Sequence, residues 1–362
     1  MGKRRLIWAA WLLAAGTLWL FENNAATLAI LLCSAAIPCL SIALARREAK
    51  RGKVALRASN SCPKNGEADV RVETNVRAVG ELRCENRLTG ETARFPLRGA
   101  QELRVKAAHC GTLRLRAEVY AEDAFGLWRS RALPCKEEFV TAEPELFLPR
   151  VTLSENTTVI SEGERYSQTK PGSDPSETFG VREYLPGDPI RQIHWKLSQK
   201  TDATMLRELG LPVVNRTLLV LRNVRAERET VTPEASDAMA EVFLSVSHAL
   251  VNDGLAHTAA FAEGGQYTLA EVQNEADFRA MEDRALTLCW ESDDGALSRL
   301  LAETPYAHVA IVSAAVPPDA EGYCRGNRVS VLTPEPAGGA PGVFVIPFSA
   351  AGYPEELQWI EL

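Results

Sequence analysis

The chain has 362 residues, 46% of them hydrophobic, and a formal net charge of −7. That length allows two or three domains with sizeable cores, and the apolar fraction fits a globular body carrying a short membrane part. Residues 1–53 hold eight Lys/Arg against two acids, whereas residues 216–362 hold nine against twenty-two. An acidic C-terminal part speaks against nucleic acid as its partner and favours solubility.

Lys3, Arg4 and Arg5 precede an apolar run over 6–21. Glu22, Asn23 and Asn24 interrupt it, and 25–45 is a second run, long enough at ~1.5 Å per residue to cross a ~30 Å hydrocarbon core. Arg46, Arg47, Lys50, Arg51 and Lys53 follow. Positive charge thus flanks both runs, and the polar turn between them has none. The positive-inside rule places both termini and the soluble domains on the cytoplasmic side of the membrane. A cleaved signal peptide is the competing reading, but it leaves the second run unexplained. Pro38 predicts a kink in the second helix. Of the eight cysteines none forms a CxxC pair, which gives no basis for a zinc site. With a cytoplasmic body, Cys62, Cys84, Cys110 and Cys135 read as buried thiols; reversed topology would permit two disulfides.

Residues 54–150 alternate with period two. Leu113, Leu115, Ala117 and Val119 face one way, and Arg114, Arg116, Glu118 and Tyr120 the other. Turn signals at Lys64-Asn65-Gly66 and Thr89-Gly90 separate several short strands, which predicts a small antiparallel β-sandwich. The stretch from Asp123 through Phe125, Gly126 and Leu127 to Trp128 reads as an apolar plug for its core. Exposed arginines could meet anionic lipid headgroups, though interspersed acids count against this. From Glu143 to Thr178 the chain turns polar, with Pro144, Pro149, Pro171 and Pro175, and 151–178 reads as a connector carrying one or two strands.

The most informative stretch follows. Pro186-Gly187 signals a tight turn. Asp188-Pro189 then reads as a helix N-cap with Pro at the first helical position, and Ile190, Ile193 and Leu197 share one helical face. Arg182, Glu183, Asp188 and Arg191 alternate in sign, as a clamp fixing the turn against the following domain.

Phe179, Gly180, Arg182, Glu183, Tyr184, Pro186, Gly187, Asp188, Arg191, Ile193 and Trp195 together resemble the signature of the bacterial "domain of unknown function 58" family. The 123–128 stretch is similar to a second feature of that family. The resemblance implies two N-terminal membrane helices, a β-rich region, this signature and a C-terminal von Willebrand A-like domain. It also implies company, namely a MoxR-type AAA+ ATPase and a transglutaminase-like membrane protein, rather than a reaction. His194 and Lys196 lie inside the signature. His194 beside Glu183 and Asp188 could act as a general base, which keeps a hydrolase as an alternative. No nucleophile motif accompanies it, and there is no GxSxG, P-loop or HExxH. No catalytic residue and no cofactor is therefore expected.

Beyond the signature, strands are predicted at 217–221, 257–262, 308–313, 328–332 and 343–348. Helices are predicted at 233–252, 275–288 and 296–303. In the first helix Met239, Val242, Phe243, Val246 and Leu250 form the buried stripe, with Asp237, Glu241 and Asp253 on the polar side. Alternating strands and helices imply a mostly parallel sheet covered on both faces. The resemblance implies an Asp-x-Ser-x-Ser metal motif after the first strand. Arg222, Val224 and Ala226 occupy those positions, and Ala314 or Ala315 replaces a further acid. A guanidinium repels a hard divalent cation, so the metal site is expected to be lost. Arg222 and Arg225 then read as salt-bridging residues or as contacts for a partner's acid.

The sequence thus predicts an α+β multidomain chain. Two transmembrane helices lie in 1–53, a β-sandwich in 54–150, a connector in 151–178, and the signature with the α/β domain in 179–362. The expected role is a non-enzymatic, membrane-anchored adaptor. An outward-facing envelope binding module is the remaining alternative.

Overall fold

The computed structural model describes residues 2–153, 165–166, 174–201, 203–210, 212–213, 217–225, 230–304, 306–324, 328–334 and 339–362. The architecture is α+β. The chain divides into two compact units, Met1–Pro144 and Glu145–Leu362.

The first unit opens with two helices, α1 (Gly2–Glu22) and α2 (Ala25–Ala49), each long and apolar enough to cross a membrane. Asn23 takes a positive φ of 42°, which Asn tolerates better than most residues, and Asn24 caps α2 by accepting from the Ala26 amide. The hairpin is pinned by indole N–H groups: Trp8 donates to the Ser34 carbonyl and Trp11 to the Ser34 hydroxyl, both at 3.1 Å. Leu6, Leu13, Leu20 and Phe21 point outward and exposed, as lipid-facing side chains would. These helices fit a membrane protein.

Nine strands follow: β1 (Val54–Ala58), β2 (Ser61–Pro63), β3 (Glu67–Thr74), β4 (Ala78–Asn86), β5 (Thr92–Arg98), β6 (Gln101–Lys106), β7 (Gly111–Glu122), β8 (Arg129–Ala132) and β9 (Glu138–Glu143). One sheet has the order β1-β3-β6. The other runs β2-β9-β7-β4-β5, with β8 also on β7. All pairings are antiparallel except β2 with β9. The period-two pattern decides which face is buried: Leu113, Leu115, Ala117 and Val119 all point inward. Leu56, Val70, Val72 and Val105 of the smaller sheet share one core with Leu82, Leu97, Leu115 and Val140 of the larger.

The Asp123–Trp128 turn departs from the core plug expected of it. Leu127 is buried, but Phe125 is half-exposed. The turn instead holds the helix ends. The buried Asp123 carboxylate accepts from the Trp128 amide at 2.6 Å and the Phe125 amide at 3.0 Å, and Ser41 of α2 accepts from the Ala124 amide. Arg5 donates to the Leu127 carbonyl at 2.8 Å, Arg4 pairs with Glu122, and the Arg46 guanidinium lies over the Trp128 ring. Replacing Asp123 by Ala strands two amides, and the expected loss is about 2 kcal/mol. Denaturant titration of the full-length protein in detergent checks this; an unchanged midpoint would show the turn to be held otherwise.

In the second unit, β10 (Arg150–Thr152), β11 (Arg165–Tyr166) and β12 (Asp174–Glu183) precede a 3-10 turn (Ile190–Gln192) and helix α3 (Trp195–Thr201). Strands β13 (Met205–Gly210) and β14 (Pro212–Val213) follow. The α/β body then comprises β15 (Thr217–Arg222), β16 (Val224–Arg225), α4 (Pro233–Asn252), β17 (His257–Glu263), β18 (Gln266–Val272), α5 (Glu275–Ala285), β19 (Glu291–Ser292), α6 (Ala296–Glu303) and β20 (His308–Ser313). It ends with α7 (Ala320–Tyr323), β21 (Arg328–Thr333), β22 (Val343–Pro347), α8 (Tyr353–Glu356) and β23 (Trp359–Glu361). The main sheet has the order β18-β17-β15-β20-β21-β22, parallel except for the antiparallel edge strand β18. Strands β15 and β20 are buried at every residue, as expected of a parallel sheet covered on both faces. Leu218, Val220, Ile311 and Val331 pack on one side against Leu297 and Leu301 of α6.

The polar side predicted for α4 is not polar in its surroundings. Asp237 and Glu241 are buried. Glu241 accepts from the Glu145 amide at 2.8 Å and from the Tyr353 hydroxyl, and Ser245 accepts from the Phe147 amide. These partners lie about a hundred residues away in the chain, so helical periodicity alone placed the carboxylate on the solvent side.

Candidate functional site

Two groups of residues in the second unit were singled out by sequence. The signature folds onto a hairpin of β12 and β13, in which Arg182 faces Leu206 and Gly180 faces Glu208. Arg182 grips Asp188 with two parallel bonds of 2.7 and 2.8 Å and reaches Glu208 at 3.3 Å. Asp188 also accepts the Leu185 amide at 2.9 Å, and Gly187 supplies the φ of 111° that the turn needs. The Arg182 hydrogen bonds, with that amide, hold the Asp188 carboxyl below its usual range. A clamp therefore exists, but it is half-exposed and closes the turn on its own hairpin. Among the described residues, Glu183 and Arg191 pair with no opposite charge through their side chains.

The single helix predicted across 190–197 is broken. Ile193 is extended, bridges Leu206 and is buried with it. Asp188 is committed to Arg182 and does not cap a helix. His194 fills that role for α3, its Nδ1 accepting from the Leu197 amide at 3.2 Å. Among the described residues no carboxylate contacts His194, so the geometry does not assemble a His–acid pair.

This arrangement fixes the turn while leaving large side chains outside. Leu185, Ile190 and Trp195 are 61%, 67% and 64% exposed, next to the exposed Arg191 and Lys196. Phe179 and Tyr184 are half-buried, and the Tyr184 amide donates to the Thr204 carbonyl. Pro186 is exposed at the turn tip. Arg191→Glu is therefore expected to leave stability within about 0.5 kcal/mol of the parent, whereas Arg182→Gln opens the clamp and lowers the melting temperature. Parallel thermal melts check both; a large loss for the Arg191 variant would show that it carries the fold.

The second group lies at the carboxyl ends of β15 and β20, where the strand order runs outward in both directions. Arg222 and Ser313 are in register there. The buried Arg222 guanidinium donates to the Ser313 hydroxyl at 3.3 Å and is ion-paired with Asp293. Asn223 donates to the Ala262 and Cys289 carbonyls, both at 2.9 Å, and locks this edge. Nearby, burial pushes the Asp319 carboxyl up, but hydrogen bonds from Ser298 and Tyr323, together with Arg222's charge, more than offset this and leave it lowered. Val224 is buried in a short parallel pairing with Glu291. Ala226 lies outside the described residues. Arg225 is exposed and makes no side-chain ion pair among the described residues.

Asp293, Asp319 and Glu208 were missed in the sequence. Their partners are distant in the chain or lie across a hairpin, and no local pattern marks them.

No family model and no curated protein matches the chain. Among solved structures it is similar to the chitinase ChiW of Paenibacillus sp. str. FPU-7, described as a bacterial cell-surface-expressed multi-modular enzyme machinery. The identity is 9%, over 81% of this chain and 21% of that one, with a TM-score of 0.20. The chain thus spans about a fifth of that protein's length, and a likeness at this level carries no argument.

Proposed function

We propose that this protein is a membrane-anchored, non-enzymatic adaptor of the domain-of-unknown-function-58 type. The helical hairpin holds the chain in the plasma membrane, with both termini cytoplasmic. The two sheets of the first unit act as a β-sandwich, and the α/β body as a von Willebrand A-like domain without its metal. The partner is a MoxR-type AAA+ ATPase, with a transglutaminase-like membrane protein as a further member, in assembly or remodelling of membrane or envelope complexes.

The observation that carries this reading is the signature surface. A turn held by the Arg182–Asp188 bonds displays Leu185, Ile190 and Trp195 beside two cations. Exposed aromatic and aliphatic anchors with charged neighbours are the composition of a protein contact rather than of a reaction centre. Arg222 stands where the resemblance implies the metal motif would begin, and its pairing with Asp293 favours a contact made without Mg²⁺.

Affinity capture of the tagged full-length protein from gently solubilised membranes, with and without ATP, tests the proposal. The expected eluate holds an AAA+ ATPase whose recovery changes with ATP and falls for Trp195→Ser. An eluate without any ATPase, from protein of unchanged melting temperature, would sink it.

A further inference from the structure

The outer face of the larger sheet in the first unit forms a polar cavity of about 790 Å³, with Arg4, Arg77, Arg98, Glu118, Glu122 and Arg129 among its walls. Its floor comes from the outward residues of β4, β5 and β7, and its rim from the first turn of α1. Arg4 is fixed there by Glu122 at 3.3 Å, while the neighbouring Arg5 holds the Leu127 carbonyl. Gly126 beside them takes a φ of 69°, a conformation that favours glycine, and a side chain there would displace the ends of Arg4 and Glu122.

Position along the membrane normal follows from the helix. Arg4 precedes the apolar run by two residues, about 3 Å of rise. The headgroup layer extends roughly 5–8 Å beyond the hydrocarbon on each side. The cavity therefore opens at headgroup level, provided that α1 spans the membrane as read above.

The charges in the cavity are of both signs and are incompletely paired. Among the described residues, the side chains of Arg77, Arg98 and Glu118 make no hydrogen bond or ion pair. Arg129 lies over the Tyr120 ring at 5.5 Å. Guanidinium groups suit a phosphodiester, and a carboxylate suits an ammonium that still carries N–H donors. We propose that this cavity binds the headgroup of a phosphoethanolamine lipid. Arg77, Arg98 and Arg129 take the phosphodiester, and Glu118 takes the primary ammonium. A choline headgroup offers no N–H to Glu118, and a glycerol headgroup offers no cation. The volume falls within the range of small-molecule sites.

Native mass spectrometry of the delipidated full-length protein in mild detergent tests this. Phosphatidylethanolamine, phosphatidylcholine and phosphatidylglycerol of identical acyl chains are offered in equal amounts. One phosphatidylethanolamine should be retained with a preference of about tenfold, the effect of one good contact. Arg77→Gln/Arg98→Gln should abolish retention, and Glu118→Gln should remove the preference while sparing lipid binding. All three positions lie on the outer face, and unchanged melting temperatures check the fold. Equal retention of the three lipids, or a preference that survives both variants, would overturn the proposal. Displacement by micromolar glycerophosphoethanolamine would assign the cavity to a soluble ligand and overturn the lipid as its source. Release of the protein from membranes by alkaline carbonate would sink the anchored reading itself, a failure distinct from an anchored protein without lipid preference.

Discussion

Replacing Arg222 by Leu is expected to destabilise the α/β body by about 3 kcal/mol, the low end of the range for breaking a buried ion pair. The low end applies because the surviving Asp293 carboxylate is 30% exposed and water can reach it. Asp293→Asn leaves the opposite problem, a guanidinium side chain 5% exposed whose remaining hydrogen bond among the described residues is to the Ser313 hydroxyl at 3.3 Å. The double variant Arg222→Leu/Asp293→Asn removes both charges together. Its loss should be smaller than the sum of the single losses by about 2 kcal/mol, since contacting residues couple. Denaturant titration of the four full-length proteins closes this cycle, and strict additivity would show that the pair is not coupled. The parent should also show no rise in melting temperature with millimolar Mg²⁺ or Mn²⁺, because a ligand that binds the native state would stabilise it. Such a rise would overturn the reading of Arg222 as the resident cation.

Acidification from pH 6.5 to 4 should destabilise the same body through His257 and His308. Burial pushes each imidazole from 6.5 down to about 4; for His257 a bond to the Leu255 carbonyl opposes this, and for His308 the Arg328 charge adds to it. Both rings are buried in the parallel sheet. His257 meets the Ser247 hydroxyl at 2.8 Å, whereas among the described residues neither ring nitrogen of His308 has a hydrogen-bond partner. Because the folded pKa is depressed, the unfolded chain binds more protons within this window. The stability is complete above pH 6.5, falls as pH drops through the unfolded value, and is lost by about pH 4. At about 1.4 kcal/mol per pH unit each histidine contributes on the order of 3 kcal/mol. His308→Leu keeps an apolar group of similar shape and removes the titration. Its stability should fall about 2 kcal/mol less than the parent's between pH 7 and 5. Identical pH profiles for parent and variant would contradict the burial argument.

Much of this fold was legible, and the failures have physical causes. The runs over 218–221 and 309–312 are apolar throughout, as fits a strand covered on both sides. The edge strand β18 was not anticipated, although its signal was present. Gly264 and Gly265 take φ of 65° and 78°, the conformation of a two-residue hairpin turn, directly after β17. In the signature, three apolar residues at helical spacing suggested one helix. Pairing of Ile193 with Leu206 outweighed that short periodicity. The site partners were the least legible, because Asp293 reaches Arg222 across 71 residues and Tyr353 reaches Glu241 across 112. Charge pairing at such separations is set by the fold and leaves no local pattern.

The adaptor account stands on the signature surface. A photocrosslinking amino acid in place of Trp195, incorporated into the full-length protein in living cells, tests that surface most directly. The account predicts an adduct with an AAA+ ATPase that is lost when Ile190→Ser is added and absent with the crosslinker at Leu269, an exposed position on β18. Adducts of equal yield from both positions, or none from Trp195, would contradict it.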